Sequence, residues 1–144
     1  MEVDFSCKDK VYLGGTTLQA TWRKPLIDNI QVDYFNPEYD GNDWTPEYNF
    51  VEEQEKKIKC NIHLYVVAKE IHFPLSVFLI SEVIESVHNH KKFTIFHVLP
   101  DGFEEQQLRS LECVVNMVKK HGGIGYIDND LMRTAHVINY SFKQ

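Results

Sequence analysis

Ile62-His63-Leu64-Tyr65-Val66-Val67-Ala68 is a nearly continuous apolar run. A strand covered on both faces has this composition, so the run reads as the centre of a parallel sheet. Downstream, Val77, Ile80, Ile84 and Val87 recur at helical spacing and predict a helix over residues 77–90 with those four buried. Residues 93–99 form another mostly apolar strand, ended by Pro100-Asp101-Gly102. Leu108, Leu111, Val115 and Val118 mark the next helix, which Gly122-Gly123 stops. Residues 124–127 read as a short last strand, after which Asp128 or Asp130 caps a final helix through Ile138.

Upstream, residues 50–59 are charged and helix-compatible, with Val51 and Ile58 sharing a face. Residues 36–47 hold Asn, Pro, Asp, Gly and two aromatics, which suits a functional loop. Residues 30–35 alternate apolar and polar as a second strand, stopped by Asn36-Pro37. Leu18, Trp22, Leu26 and Ile30 form a helical stripe over residues 16–30, with Pro25 near its start or at a kink. Lys10-Val11-Tyr12-Leu13 is the first strand, closing on Gly14-Gly15. Strands thus alternate with helices throughout. The expected fold is α/β: a doubly wound, five-stranded parallel sheet of order 2-1-3-4-5, helices on both faces, in one domain over residues 1–144. Residues 1–9 read either as an extra edge strand or as a loose arm.

The 144 residues suffice for one core, and the apolar (43%) and charged (25%) fractions are those of a globular chain. A net charge of -6 argues against duplex nucleic acid as a partner, since phosphate contacts need a basic surface. Small nucleotides remain open, because backbone N–H groups can hold them. Cys7, Cys60 and Cys113 are far apart and lack C-x-x-C spacing, so they read as reduced, buried thiols with no disulfide and no zinc. No signal peptide and no membrane span are expected, and the compartment is read as cytoplasmic.

In open parallel sheets, ligands bind beyond the carboxyl ends of the strands, where the strand order reverses. With the order 2-1-3-4-5 that point lies between strands one and three. The turn Gly14-Gly15-Thr16-Thr17 meets there with residues 69–81, which lead to Glu82. The turn is neither a P-loop nor a dinucleotide fingerprint, lacking Gly-Lys-Ser/Thr and a third glycine. A carboxylate early in the following helix is favoured by the helix dipole, by about 0.3–1 kcal/mol. Glu82, about 200° from Ile80 by the helical period, leans away from the predicted stripe. His63 and His97 fall inside strands and read as hydrogen-bonded core residues. His88 and His90, two apart, make no metal pair, and His72 in the loop is an open candidate for ligand contact. No Ser-His-Asp or Cys-His arrangement is legible.

Val11-Tyr12-Leu13-Gly14-Gly15-Thr16, Thr21-Trp22-Arg23, Asp33-Tyr34-Phe35-Asn36-Pro37, Asp43-Trp44-Thr45-Pro46-Glu47, Leu64-Tyr65-Val66-Val67 and Ile80-Ser81-Glu82-Val83 occur in that order. Over residues 10–127 this series resembles the nucleoside 2-deoxyribosyltransferase-like family, in particular its small branch of bacterial and phage proteins. The resemblance implies a flavodoxin-like sheet and a two-step glycosyl transfer without cofactor or metal. A glutamate matching Glu82 attacks the anomeric carbon, the base leaves, and a second base or water resolves the sugar ester. Tyr12 then contributes near the glutamate. Gly14, Gly15 and Thr16 wall the substrate, and Asn36, Asp40 and Trp44 belong to the covering loop. Asn61 and Ser76 stand where the family usually carries an aspartate and a glycine, at substrate-binding positions.

Three readings follow. The first is an N-deoxyribosyl transferase or N-glycoside hydrolase acting on a nucleoside or nucleotide. The second is a catalytically inactive nucleotide- or protein-binding module on the same fold, motivated by Asn61, Ser76 and the apolar residues Ile71, Phe73, Leu75 and Phe78. The third is an accessory domain with a vestigial pocket. The apolar loop also permits a homo-oligomer.

Overall fold

A computed structural model describes residues 9–16, 21–37, 45–69 and 77–142. Its elements are β1 (Lys10–Gly15), α1 (Arg23–Ile27), β2 (Asp33–Phe35), α2 (Pro46–Tyr48), a π-helical turn (Asn49–Glu53), α3 (Gln54–Ile58), β3 (Ile62–Val67), α4 (Val77–His88), β4 (Phe93–Val98), α5 (Glu105–Lys120), β5 (Ile124–Ile127) and α6 (Leu131–Ser141). The five strands are all parallel and lie in the order β2-β1-β3-β4-β5. This is the doubly wound, flavodoxin-like arrangement expected, with β3 buried along its whole length.

Period-two alternation sends successive strand residues to opposite faces. Tyr12, Tyr65, Val67, Phe96 and Val98 point to one core, completed by Leu79, Val83 and Val87 of α4 and Leu111, Val115 and Val118 of α5. Val11, Leu13, Ile62, Leu64, Val66 and Ile95 point to the other, completed by Trp22, Leu26 of α1, and Ala135 and Ile138 of α6. Among the described residues no helix is long and apolar enough to cross a membrane.

Several boundaries differ from the sequence reading. The described part of the first helix is Arg23–Ile27, with Pro25 in its first turn, where a missing N–H leaves no bond unmade. β2 is only Asp33–Phe35, because the chain turns at Asp28 and Asn29 and hands the Gln31 N–H to Asn139 instead of to a strand. Cys113 is exposed rather than buried, while Cys60 is buried as expected. In α4 the buried residues are Leu79, Val83, Ser86 and Val87; Val77 is 83% exposed. Glu82 lies three residues after Leu79 and four before Ser86, so it belongs to the inward face and does not lean away from it.

The helix expected from residue 50 starts earlier. Thr45 caps it, its hydroxyl accepting from the Tyr48 N–H at 3.1 Å, and Pro46 occupies the first helical position. Val51 and Ile58 share a face, as expected, and that face points outward. Phe50 (80% exposed), Val51 and Ile58 (69%) face outward, while Asn49, Glu53 and Lys57 are buried. The π-turn, in which the Gln54 N–H reaches back to the Asn49 carbonyl, runs from the first of these polar residues to the second.

Candidate functional site

The register pairs Tyr12 with His63 and Gly14 with Tyr65, so these four residues share the face that α4 covers. A Cβ on Gly14 would stand 2.7 Å from Tyr65 Cδ1 and 2.9 Å from Tyr12 Cε1. The glycine therefore makes room for two tyrosine rings. Gly15, at φ 115°, brings its backbone against β3; a Cβ there would stand 2.1 Å from the Val66 carbonyl oxygen. Thr16 continues the join. Its N–H donates to Val66 O at 3.0 Å, and its hydroxyl accepts from the Ala68 N–H at 3.1 Å. Trp22 Nε1 and Arg23 Nη1 both donate to Thr16 O, at 2.9 and 2.6 Å, and Arg23 Nη2 donates to Leu13 O at 3.1 Å. Gly14, Gly15 and Thr16 thus lock the carboxyl end of β1 to β3, and the buried Arg23 guanidinium clasps the turn from the other face.

Beside the tyrosines lies a group of charged side chains. Lys57 Nζ donates to Glu82 Oε2 at 3.0 Å, with the glutamate side chain 13% exposed. The Tyr12 phenol donates to Glu53 Oε1 at 2.5 Å. The Lys57 ammonium stands 5.7 Å from the Tyr12 ring centre and 5.5 Å from that of Tyr65, within cation–π range. Burial pushes the Glu82 carboxyl above the ordinary carboxylate range, and the Lys57 ammonium pulls against that shift. Both phenols are raised, first by burial and then by Glu82, so they stay protonated donors.

A second chain of hydrogen bonds braces the first. His63 Nε2 bonds the Lys57 carbonyl at 3.0 Å, and Nδ1 bonds Ser86 Oγ at 2.9 Å. A carbonyl only accepts, so Nε2 carries the proton and Nδ1 accepts from Ser86. The Tyr65 phenol, 2.5 Å from Ser86 Oγ, then donates to it. His63 and His97 are both hydrogen-bonded core residues, as expected; His97 joins Thr134 and Asp128 at 2.8 and 2.9 Å.

Burial, then the nearby Lys57 charge, lowers the His63 pKa to about 3, against 6.5 for a free histidine. Between these values the unfolded chain binds a proton that the folded chain refuses. Stability is therefore full above about pH 6.5 and falls as the pH drops, by up to about 1.4 kcal/mol per pH unit. Urea unfolding from pH 7 to pH 4 should show a shallower loss in His63→Gln than in the parent. Equal slopes would exclude His63 as the source.

The candidates divide as follows. Glu82 and Tyr12 come together, and after burial the Glu82 charge is what raises the Tyr12 phenol most. Asn36 follows β2 at the carboxyl end of the sheet, its buried Oδ1 without a hydrogen-bond partner among the described residues. Asn61 is a correction. It precedes β3 at the opposite end of the strands, accepting from the Lys10 N–H at 2.8 Å and donating to Asp9 at 2.7 Å. Asp40, Trp44, His72 and Ser76 lie outside the described residues. Glu53, Lys57 and Ser86 were not singled out from the sequence. Their signal is the four-residue step Asn49, Glu53, Lys57, and Glu82 with Ser86. Among the described residues no group of three or more His, Cys, Asp or Glu could hold a metal ion. No family model, no curated protein and no solved structure matches this chain.

Proposed function

We propose that this chain cleaves the N-glycosidic bond of a 2-deoxynucleoside or its nucleotide, with Glu82 as nucleophile, as its resemblance to the nucleoside 2-deoxyribosyltransferase-like family implies. The observation that carries the reading is the Glu82 carboxyl itself. It sits on the helix after the central strand, mostly buried, more basic than an exposed glutamate, and paired to an ammonium. Burial makes an anion a stronger nucleophile by stripping its water, and the ammonium keeps it ionised.

A Glu82 oxygen bonds to the anomeric carbon while the carbon–nitrogen bond breaks. The bonding pair leaves with the base, which takes up a proton. A second base or a water then attacks the same carbon, the ester bond breaks, and the carboxylate returns. Tyr12 acts beside this step, its phenol turned to Glu53. The scheme needs no cofactor. A reducing, cytoplasmic setting suits it, since burial pushes the Cys60 thiol up to about 11, where it stays protonated.

A panel of deoxynucleosides and deoxynucleotides, followed by chromatography for free base, tests the reading. Release from any of them supports it. Among the described residues the buried Oδ1 of Asn36 and Nδ2 of Asn49 have no hydrogen-bond partner, which favours the binding-module reading, because polar ligand groups satisfy such atoms. Calorimetric binding of a nucleotide without base release selects that reading.

For a partner we propose a second copy of the chain, seated on the outward face of Phe50, Val51 and Ile58. The acidic residues Glu47, Glu52 and Glu55 precede the basic Lys56 and Lys59 along this helix, so an antiparallel copy sets opposite charges across the contact. Phe50→Asp should weaken dimerisation at least about tenfold in sedimentation. A monomeric parent at all soluble concentrations removes the proposal.

A further inference from the structure

The helix over residues 46–58 turns Asn49, Glu53 and Lys57 inward and Phe50, Val51 and Ile58 outward. Burying an ammonium strips it of water, and a single ion pair rarely repays that loss. Apolar residues on the inner face would pack more favourably, so the polar ones are retained for what they do to their neighbours.

Lys57 is fixed at both ends. Its carbonyl accepts from His63, which is tied through Ser86 to α4, one turn beyond Glu82. Its ammonium reaches Glu82 Oε2 at 3.0 Å and lies over the Tyr12 and Tyr65 rings. Ser86 and Glu82 share one helix face, so the tether that holds the lysine backbone also sets the height of the carboxylate. We propose that Lys57 is the positioning residue of Glu82, holding Oε2 and the negative charge and presenting Oε1 to the anomeric carbon.

The inference rests on the nucleophile role proposed above and adds a charge balance to it. The ammonium bonds Glu82, and a second carboxyl, that of Glu53 one turn earlier on the lysine's own helix, acts on Glu82 as well. When Glu82 becomes an ester it loses its charge, and Glu53 remains as the acid beside Lys57. Esterification therefore removes an excess carboxylate from a buried site and does not strand the lysine. The other ionisable groups facing the pair are the Tyr12 phenol from β1, the His63 imidazole and Tyr65 phenol from β3, and Glu85 from α4, which also acts on Tyr65. The phenols stay protonated and His63 stays neutral near pH 7, so none of these three changes charge beside Glu82 there.

The test is the titration of the Glu82 carboxyl carbon by NMR in glutamate-labelled protein, with Glu82→Gln assigning the signal. In Lys57→Met the midpoint should rise by at least about one pH unit, and Lys57→Arg should restore most of it. Lys57→Gln keeps a donor for Oε2 without the charge and reads the same midpoint should the methionine variant fail to fold. With deoxynucleoside, Lys57→Met should lower single-turnover ester formation at least about tenfold and move its acid limb up with the titration. Substrate KM should stay near that of the parent. A midpoint unmoved in the methionine and glutamine variants overturns the role of Lys57, whatever the base-release assay gives. A midpoint that moves, in a parent that releases no base from any substrate, overturns the nucleophile reading and leaves the pairing standing.

Discussion

Glu82→Gln is expected to lower base release at least about 10³-fold, equivalent to about 4 kcal/mol of barrier. The amide keeps the shape of the side chain but cannot supply an anion to the anomeric carbon. Its consequence for folding has to be read at the same time. The substitution leaves the Lys57 ammonium without the carboxylate oxygen it holds at 3.0 Å, in a site where both side chains are mostly buried. Breaking one side of a buried pair costs about 3–5 kcal/mol when the remaining charge stays unpaired. Glu53, one turn away, offers an alternative partner, so the loss should fall below that range. Thermal melting beside the rate assay separates the two effects. Digestion and mass spectrometry of protein quenched during turnover should find a deoxyribosyl adduct on the peptide bearing Glu82, absent from the variant. A folded Glu82→Gln retaining parental base release would end the nucleophile assignment.

Gly15→Ala is the second large effect expected. The new methyl would stand 2.1 Å from the Val66 carbonyl oxygen and 2.7 Å from the Val66 nitrogen, both backbone atoms. No rotamer relieves such a contact; β1 must move away from β3, giving up the Thr16–Val66 and Thr16–Ala68 hydrogen bonds. The φ of 115° adds strain of its own. The sum should exceed about 3 kcal/mol in urea unfolding. Gly122→Ala is the control. It has φ 90° but open space around its Cβ position, so it should cost only about 1 kcal/mol. Near-equal losses at both positions would show that the β1–β3 join is looser than these distances imply.

Where the chain follows ordinary patterning, its sequence was informative. The uninterrupted apolar run of β3 announced a strand buried on both faces, and the alternation of strands and helices led to the order β2-β1-β3-β4-β5. α5 was legible from its apolar spacing and its glycine stop, where the Gly123 N–H bonds Val118 O. Glu82 was legible through resemblance, but its orientation was not. The stripe drawn through Val77 and Ile84 places the carboxylate outward, whereas Leu79, Val83 and Ser86 define the inner face. The partners of Glu82 were hidden more deeply. Amphipathic reading assumes that a helix turns its apolar side to the sheet. Here a lysine and a glutamate face inward, and Phe50 and Ile58 face out. Pattern reading finds the helix and the face shared by Val51 and Ile58, but leaves its polar inner face unread. Asn61 was misplaced because only the resemblance put it at the substrate; it directly precedes Ile62, at the amino end of β3, opposite the carboxyl ends where ligands bind such sheets.

The strand order also bears on how the molecule assembles. β1, the first of the described strands, pairs with β2 on one side and with β3, from the middle of the chain, on the other. Until β3 is available, β1 can hold only the three-residue β2, and a two-stranded parallel ribbon is not stable alone. β3 and β4, joined through α4, are therefore better placed to nucleate, with β1 docking onto them afterwards. Tyr12 from β1, Glu53 and Lys57 from the helix over residues 46–58, and Glu82 from α4 come from three separate segments that this docking brings together. Their charges stay in water until the sheet closes, so the desolvation of the Lys57–Glu82 pair falls late in folding. Stripping charges of their water at that stage should slow the final step, and Lys57→Met paired with Glu82→Met should fold faster than the parent.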